Sequence, residues 1–248
     1  MRVEGQIHLE DGYPAGLGEI VVVRDAEAPV DPELRRRGQA HLDAVRARSP
    51  RMFDGPVLAL DHVDGGVVHA VRASYFDMVA TCDSLASDPE LRAYAERLAA
   101  PDPLRNGHGR AAAIGVTAVV VRDGRFSLGR RSAQVALDPG RWHVVPSGTV
   151  DARGVLGTLA DELASEHDVE QLPPMRVIAL GYDLTRLRPE LTVMTDGLGA
   201  IPPPLPSDEF SEFRDVVLDL AAVGQMRELD LTPAAALALA AVERELRR

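Results

Sequence analysis

A nearly continuous apolar stretch covers residues 112–121, where most positions are aliphatic and several are β-branched. Such a run predicts a central strand that is buried on both faces. The pair Asp123-Gly124 follows as a hairpin-turn signal, and residues 125–129 are predicted to form the returning strand. This part of the chain therefore predicts a hairpin at the centre of a sheet.

The chain before this strand alternates between patterns typical of strands and of helices. The predicted elements are a strand, a helix that opens with Asp-Pro, a two-stranded hairpin and two further helices, at residues 19–24, 31–48, 56–62 with 66–73, 74–81 and 88–99. A segment rich in proline and glycine, residues 101–109, follows them. We therefore predict an α+β extension over residues 1–104 and an α/β domain over residues 105–248.

The second half of the chain is predicted to alternate strands and helices, which is typical of the α/β class. After an acidic helix, strands are predicted at residues 175–183 and 190–200, and helices at 211–223 and 233–247. The last helix is rich in alanine and leucine. We interpret it as part of the core, with a homodimer interface as the alternative.

Composition narrows the classes of function. The chain has 248 residues and a net charge of −11, which argues against nucleic-acid and membrane-surface binding, since both require a basic face. Cys82 is the only cysteine, so an internal disulfide and a multi-cysteine zinc site are excluded. No apolar run reaches the roughly 18 residues of a membrane helix, and the start lacks a signal-peptide pattern. We expect a cytoplasmic protein.

Two glutamates mark the acidic helix as a candidate site. Glu162 and Glu166 are four residues apart, so they lie on one side of a helix. At about 100° per residue, both fall within about 60° of Leu159, beside the face that must be buried. Carboxylates at the margin of a core are costly unless a cation holds them, and Mg²⁺ or Mn²⁺ takes oxygen ligands. We therefore predict a divalent-metal site at this pair.

The segment that starts at Gly148 resembles the Nudix box, whose pattern is G-x5-E-x7-R-E-U-x-E-E-x-G-U with U an aliphatic residue. Gly148 matches the first glycine, and residues 161–169 match the second half. The loop between them is one residue short. Asp161 stands where the pattern has arginine, Ser165 where it has glutamate, and the glutamate of the loop falls near Arg153. The lost glutamate and arginine are usually partners in the family.

This resemblance implies a Nudix-type α/β/α sandwich with a mixed sheet, and metal-dependent hydrolysis of a pyrophosphate bond. It assigns Glu162 and Glu166 to catalysis and metal binding, and the backbone carbonyl near Gly148 to the same metal. Four segments outside the box, residues 47–56, 73–77, 102–104 and 129–135, are similar to the Nudix-type UDP-glucose/UDP-galactose pyrophosphatases. The implied partner is a nucleoside-diphosphate-linked small molecule such as a nucleotide sugar.

Two alternatives stay open. One is a non-catalytic nucleotide-sugar sensor that keeps the fold, and the other is a hydrolase of a different nucleotide such as ADP-ribose. The intact spacing of Glu162 and Glu166 favours an enzyme, whereas Ser165 and the shortened loop favour the sensor.

Further polar residues complete the predicted site. Arg130 and Arg131 are assigned to phosphate binding, because a guanidinium can bind two phosphate oxygens, and Ser147 with the glycine after it is assigned to substrate binding. Glu190 is assigned as a further metal carboxylate. His143 has no partner at metal-ligand spacing and is interpreted as structural. The alternatives to Glu190, interpreted as the acidic start of a helix, are Asp208, Glu209 and Glu212.

Overall fold

The computed structural model describes residues 2–3, 7–10, 19–197 and 201–248. Its strands are β1 (Arg2–Val3), β2 (Ile7–Leu9), β3 (Val21–Glu27), β4 (Pro56–Asp64), β5 (Val67–Ser74), β6 (Gly115–Val119), β7 (Arg125–Arg131), β8 (Trp142–Val144), β9 (Ser147–Thr149), β10 (Met175–Asp183), β11 (Arg188–Thr195) and β12 (Phe210–Val217). Its α-helices are α1 (Pro32–Arg48), α2 (Tyr75–Thr81), α3 (Pro89–Leu98), α4 (Gly154–His167), α5 (Leu220–Met226) and α6 (Pro233–Leu246), and a 3₁₀ helix covers Asp83–Ala86.

A mixed sheet lies at the centre of the fold, with the strand order β1-β2-β10-β11-β6-β9. β11 and β6 are parallel, whereas the other neighbouring strands are antiparallel. Side chains alternate between the two faces along β6. Val116 and Ala118 face α4 and pack with its Leu159 and Leu163, whereas Val119 belongs to the core on the α6 side. The predicted α/β class, with a mixed sheet between helices, is confirmed.

The turn after the central strand leads into a second sheet. Asp123 and Gly124 both have positive φ angles, of 48° and 69°, and the bridge from Arg122 to Arg125 closes the predicted turn. The returning strand β7 pairs with β12 and β8 rather than with β6. The turn is therefore confirmed, but the hairpin is wrong, because β6 is flanked by β11 and β9.

The helix predicted over residues 211–223 is wrong in its first half. Residues 210–217 form β12, which pairs with the free edge of β7 along most of its length. The helix α5 begins only at Leu220, where the Asp219 side chain accepts a hydrogen bond from the backbone N–H of Ala222 at 2.7 Å. Pairing with a distant strand overrides the local preference.

The last helix lies in the core, as predicted. The side chains of α6 from Leu237 to Val242 are buried, and Leu237 packs over Gly181 of β10. No helix in the described part of the chain is long and apolar enough to cross a membrane.

The amino-terminal part forms a small sheet, in the order β3-β5-β4, beside helices α1 to α3. As predicted, α1 opens at Asp31, whose carboxylate accepts a hydrogen bond from the N–H of Leu34 at 2.8 Å, and Pro32 is its first residue. This part is joined to the central sheet. The N–H groups of Leu58 and Leu60 in β4 donate to the carbonyls of Val150 and Ala112, at 2.8 and 2.9 Å.

The two parts also share a core. Leu58 and Leu60 belong to the same buried cluster as Leu159 and Leu163 of α4. At the other end of the central sheet, β2 pairs with β10. The boundary near residue 104 stays a prediction.

A buried ion cluster links distant segments. Arg186, in the turn between β10 and β11, contacts the carboxylates of Asp83, Asp138 and Asp183 at 2.9 to 3.0 Å. Burial alone would raise the pKa of Asp138, but the guanidinium groups of Arg186 and Arg141 lower it. The cluster thereby fixes the loop of residues 132–141 against the 3₁₀ helix.

Replacing Arg186 with methionine is expected to destabilise the protein by about 3–5 kcal/mol, because three carboxylates lose their shared cation in a poorly hydrated site. Urea unfolding followed by circular dichroism measures this change. The control is Arg92→Gln, which breaks an exposed pair with Glu96 and should leave the midpoint nearly unchanged. An equal response of the two variants would show that the cluster has no special role.

Candidate active site

The glutamate pair lies where the helical pattern predicts it, at the edge of the buried face of α4. Leu159 and Leu163 are fully buried, Glu162 is half-buried and Glu166 is 8% exposed. Burial raises the pKa of Glu162 to about 7, and the charges of Glu209, Asp161 and Asp151 add to this effect. Burial also raises the pKa of Glu166 to about 9, with Glu162 and Glu209 as further causes.

The Glu162 carboxylate packs directly against Gly148 in β9. A Cβ atom on Gly148 would collide with Oε1 of Glu162, so the glycine allows the carboxylate to lie this close to the backbone. The first glycine of the Nudix-like motif thus lies beside its first helix glutamate. A backbone segment and a carboxylate meet at the edge of the central sheet.

The departures from the family pattern form an ion pair of reversed polarity. Arg153, which stands near the position of the loop glutamate, contacts the Asp161 carboxylate, which stands in the place of the family arginine. Arg153 also bonds to Asp151 at the start of the helix. The loop is therefore tied to α4 by the same kind of contact with the charges exchanged.

A third carboxylate, that of Glu209, lies close enough for its charge to affect the pKa values of Glu162 and Glu166. It raises the pKa of both Glu162 and Glu166, although its own side chain is exposed. The segment before it is attached to α4, because the N–H of Leu205 donates to the Glu166 carbonyl at 2.7 Å. The helix-start interpretation of Asp208, Glu209 and Glu212 is wrong, since they lie next to or within β12.

The structure does not bring Glu190 to the glutamate pair. Glu190 fills the space over Gly115 and accepts a hydrogen bond from the Thr117 hydroxyl at 2.9 Å. Gly115 and Thr117 point to the face of β6 opposite Val116, which faces α4. Burial raises the pKa of Glu190 to about 7. Of the predicted acids downstream, Glu209 is therefore the better placed.

The two predicted arginines differ in their surroundings. Arg131 is half-buried, its Nε donates to the Leu137 carbonyl at 3.0 Å, and its charge lowers the pKa of both glutamates. Arg130 is exposed and its Nε donates to the Gly140 carbonyl at 3.1 Å. Consecutive residues of a strand point to opposite faces, so only Arg131 is oriented toward the pair.

Ser147, the residue before Gly148, makes a hydrogen bond with a buried histidine. Its hydroxyl contacts Nε2 of His143, and Nδ1 of the same ring lies 2.5 Å from the Thr232 hydroxyl. Burial lowers the pKa of His143 to about 3, with the charge of Arg131 as a further cause. His143 therefore has a defined place beside the site, which metal-ligand spacing in the sequence does not predict.

The donors of the site fit a hard divalent cation. Oε2 of Glu166 is buried and has no hydrogen-bond partner among the described residues, and burial raises the pKa of both glutamates. In the described part of the chain, no three His, Cys, Asp or Glu side chains are already arranged around a metal position. Mg²⁺ commonly takes one or two carboxylates, with waters and substrate phosphates as the other ligands.

Comparison with solved structures gives several similar folds. Over 55% of this chain and 96% of the other, the chain is 22% identical to the MutT protein from Methanosarcina mazei Go1, with a TM-score of 0.44. A MutT Nudix hydrolase from Burkholderia pseudomallei is 21% identical over 52% of this chain and 97% of its own, with a TM-score of 0.41.

A third similar structure is a bifunctional NMN adenylyltransferase/ADP ribose pyrophosphatase from Francisella tularensis, complexed with AMP and an Mn ion. It is 11% identical over 69% of this chain and 49% of its own, with a TM-score of 0.42. The sequence matches no protein-family model and no curated protein sequence.

Proposed function

We propose that this protein is a Nudix-type, metal-dependent hydrolase of the pyrophosphate bond in a nucleoside-diphosphate-linked substrate. The observation that carries the proposal is the buried pair Glu162 and Glu166, packed on Gly148 and flanked by Glu209 and Arg131. Two carboxylates with raised pKa values and a nearby guanidinium are suited to an anionic substrate that arrives with a divalent cation.

Each residue has a distinct role in this reaction. Glu162 and Glu166, with the Gly148 carbonyl and Glu209, would hold Mg²⁺ or Mn²⁺, and such a cation would neutralise phosphate charge and make water easier to deprotonate. Arg131 binds a phosphate oxygen through its terminal nitrogens, for which no partner is recorded in the described part of the chain. A carboxylate of the pair accepts the proton of the attacking water. The P–O–P bridge breaks and leaves two monophosphates.

The proposed substrate is a nucleotide sugar such as UDP-glucose, and the extension supplies one wall of its site. Tyr75, at the start of α2, is half-buried close to Arg131, Arg188 and Glu209, whose charges act on its pKa. Burial and the nearby Asp83 raise the pKa of Tyr75 to about 12. The phenol is thus neutral and available to donate a hydrogen bond. Tyr75 lies in one of the segments that resemble the UDP-sugar pyrophosphatases.

A panel of nucleotides tests the proposal. With Mg²⁺ or Mn²⁺, UDP-glucose or UDP-galactose is expected to release UMP and a sugar phosphate, with slower release from ADP-ribose. Chromatography of the products measures both the rate and the bond that is cleaved. Faster release from ADP-ribose would keep the reaction and replace the substrate, whereas inorganic phosphate as the first product would contradict cleavage of the P–O–P bridge.

One observation favours the second candidate, a sensor that binds without cleaving. Ser165 is exposed and its hydroxyl donates to the Glu162 carbonyl of its own helix at 3.2 Å, so α4 provides no third carboxylate at this position. Binding of UDP-glucose without release of UMP under any metal would favour the sensor. We place the enzyme first, because Glu209 can supply the missing charge.

A further inference from the structure

Backbone pairing places the first turn of α6 beside β8. The N–H of Trp142 donates to the Asp230 carbonyl at 2.8 Å, and the N–H of Thr232 donates to the Trp142 carbonyl at 2.9 Å. Thr232 caps α6, where its hydroxyl oxygen accepts a hydrogen bond from the N–H of Ala235 at 3.1 Å. The same hydroxyl lies 2.5 Å from Nδ1 of His143, the next residue in β8.

The direction of the hydrogen bonds follows from the proton inventory of these groups. Thr232 is 2% exposed, and its own hydroxyl proton requires an acceptor. Among the described residues, the acceptor recorded for it is Nδ1 of His143. His143 is neutral because burial lowers its pKa to about 3, so its single ring proton is on Nε2.

The proton on Nε2 leaves the serine with a free donor. Nε2–H of His143 donates to the Ser147 oxygen, so the Ser147 hydroxyl proton points elsewhere. No acceptor for it is recorded in residues 7–10, 19–197 and 201–248. Ser147 is half-buried, and its side chain points to the face of β9 opposite the one where Gly148 contacts Glu162. Its histidine partner lies within reach of the Arg131 charge, which also acts on Glu162 and Glu166.

We propose that Thr232 and His143 are positioning residues that orient the Ser147 hydroxyl to donate a hydrogen bond to a phosphate oxygen of the substrate, on the side where Arg131 supplies its charge. This inference rests on the proposed function for the identity of the ligand. It assigns the chain of hydrogen bonds a direction, from the cap of α6 through the imidazole to the serine. No proton is transferred along it during the reaction.

Nitrogen-15 NMR of the histidine ring tests the direction without any activity. In the wild-type protein at neutral pH, His143 is expected to be neutral with its proton on Nε2. Thr232→Ser keeps both the cap and the donor, so it should preserve this tautomer. Thr232→Asp keeps the cap but offers only acceptors, so the ring proton should move to Nδ1. A proton on Nδ1 in the wild-type protein overturns the inference.

Affinity for phosphorylated probes tests the consequence. Titration calorimetry with pyrophosphate and with UDP-glucose, each with Mg²⁺, should show about tenfold to a hundredfold weaker binding for Ser147→Ala and for Thr232→Asp. Thr232→Ser should bind like the wild type. The matched control is Ser87→Ala, in the amino-terminal part, where the lost hydroxyl donates only to the Ser84 carbonyl. Melting temperatures separate weaker binding from loss of the fold.

The outcomes separate this inference from the proposed function. Probe binding that weakens in Ser147→Ala, without hydrolysis in any variant, supports the hydrogen-bond chain and contradicts the enzyme. Hydrolysis and binding that are unchanged in Ser147→Ala overturn the chain and leave the enzyme standing. Failure of the wild type to bind either probe contradicts both.

Discussion

Replacing Glu162 or Glu166 with glutamine is expected to lower kcat by about 10²- to 10⁴-fold. The amide keeps the shape of the side chain but can neither hold the cation with a charge nor accept a proton from water. Steady-state release of UMP from UDP-glucose, or of the monophosphate from the best compound of the panel, measures the loss. Glu170→Gln, an exposed acid just past α4, is the control and should keep wild-type turnover.

Glu166→Gln is also expected to change how the stability of the metal-free protein depends on pH. Burial, then Glu162 and Glu209, raise the folded-state pKa of Glu166 to about 9, well above that of an unfolded glutamate. The folded state therefore binds the proton more tightly, and stability is lost as the pH rises from about 5 to about 9. Glu166→Gln should remove that loss.

A divalent cation should offset this loss of stability at high pH in the wild type. At pH 8, Mg²⁺ with product is expected to raise the melting temperature, by the equivalent of about 2.7 kcal/mol at a hundredfold excess over Kd. Both glutamine variants should lose this response. A wild-type shift that persists unchanged in both variants would place the cation elsewhere.

Local periodicity was sufficient to predict α4 and the position of its glutamates. The helix pattern places Glu162 and Glu166 beside Leu159 whatever the rest of the chain does, because the geometry is set within two turns. Its limit is seen at Leu156, which the same wheel places within about 60° of Leu159 but which is 45% exposed. Thr158 is buried instead.

Pairing between distant strands determines features of the fold and the site that local sequence patterns do not predict. Glu190 and Glu209 are both acids downstream of the helix, and only the register of β11 with β6 shows that the first faces away from α4. The same holds for residues 210–217, which become a strand because β7 has a free edge. For Arg130 and Arg131, the period-two alternation of strands could have separated the two side chains from sequence alone.

Removing residues 1–104 is expected to abolish cooperative folding of the remainder. The fragment 105–248 would expose the side of its core that Leu58 and Leu60 cover. The carbonyls of Ala112 and Val150 would lose their partners in β4. Circular dichroism during heating measures the effect, and the fragment should lack a sharp transition, whereas the full chain should show one.

A milder change tests the same interface within the intact chain. Leu60→Ala should cost about 2–5 kcal/mol in urea unfolding, because it leaves a cavity in the shared core, whereas the exposed Leu156→Ala should stay within about 0.5 kcal/mol. Loss of Leu60 would then lower the affinity for UDP-glucose only as far as it unfolds the protein, since its side chain lies in the shared core and not at the site.

A fragment 105–248 that melts cooperatively and binds UDP-glucose as the full chain does would establish two independent units. The wall formed by Tyr75 would then have no part in binding.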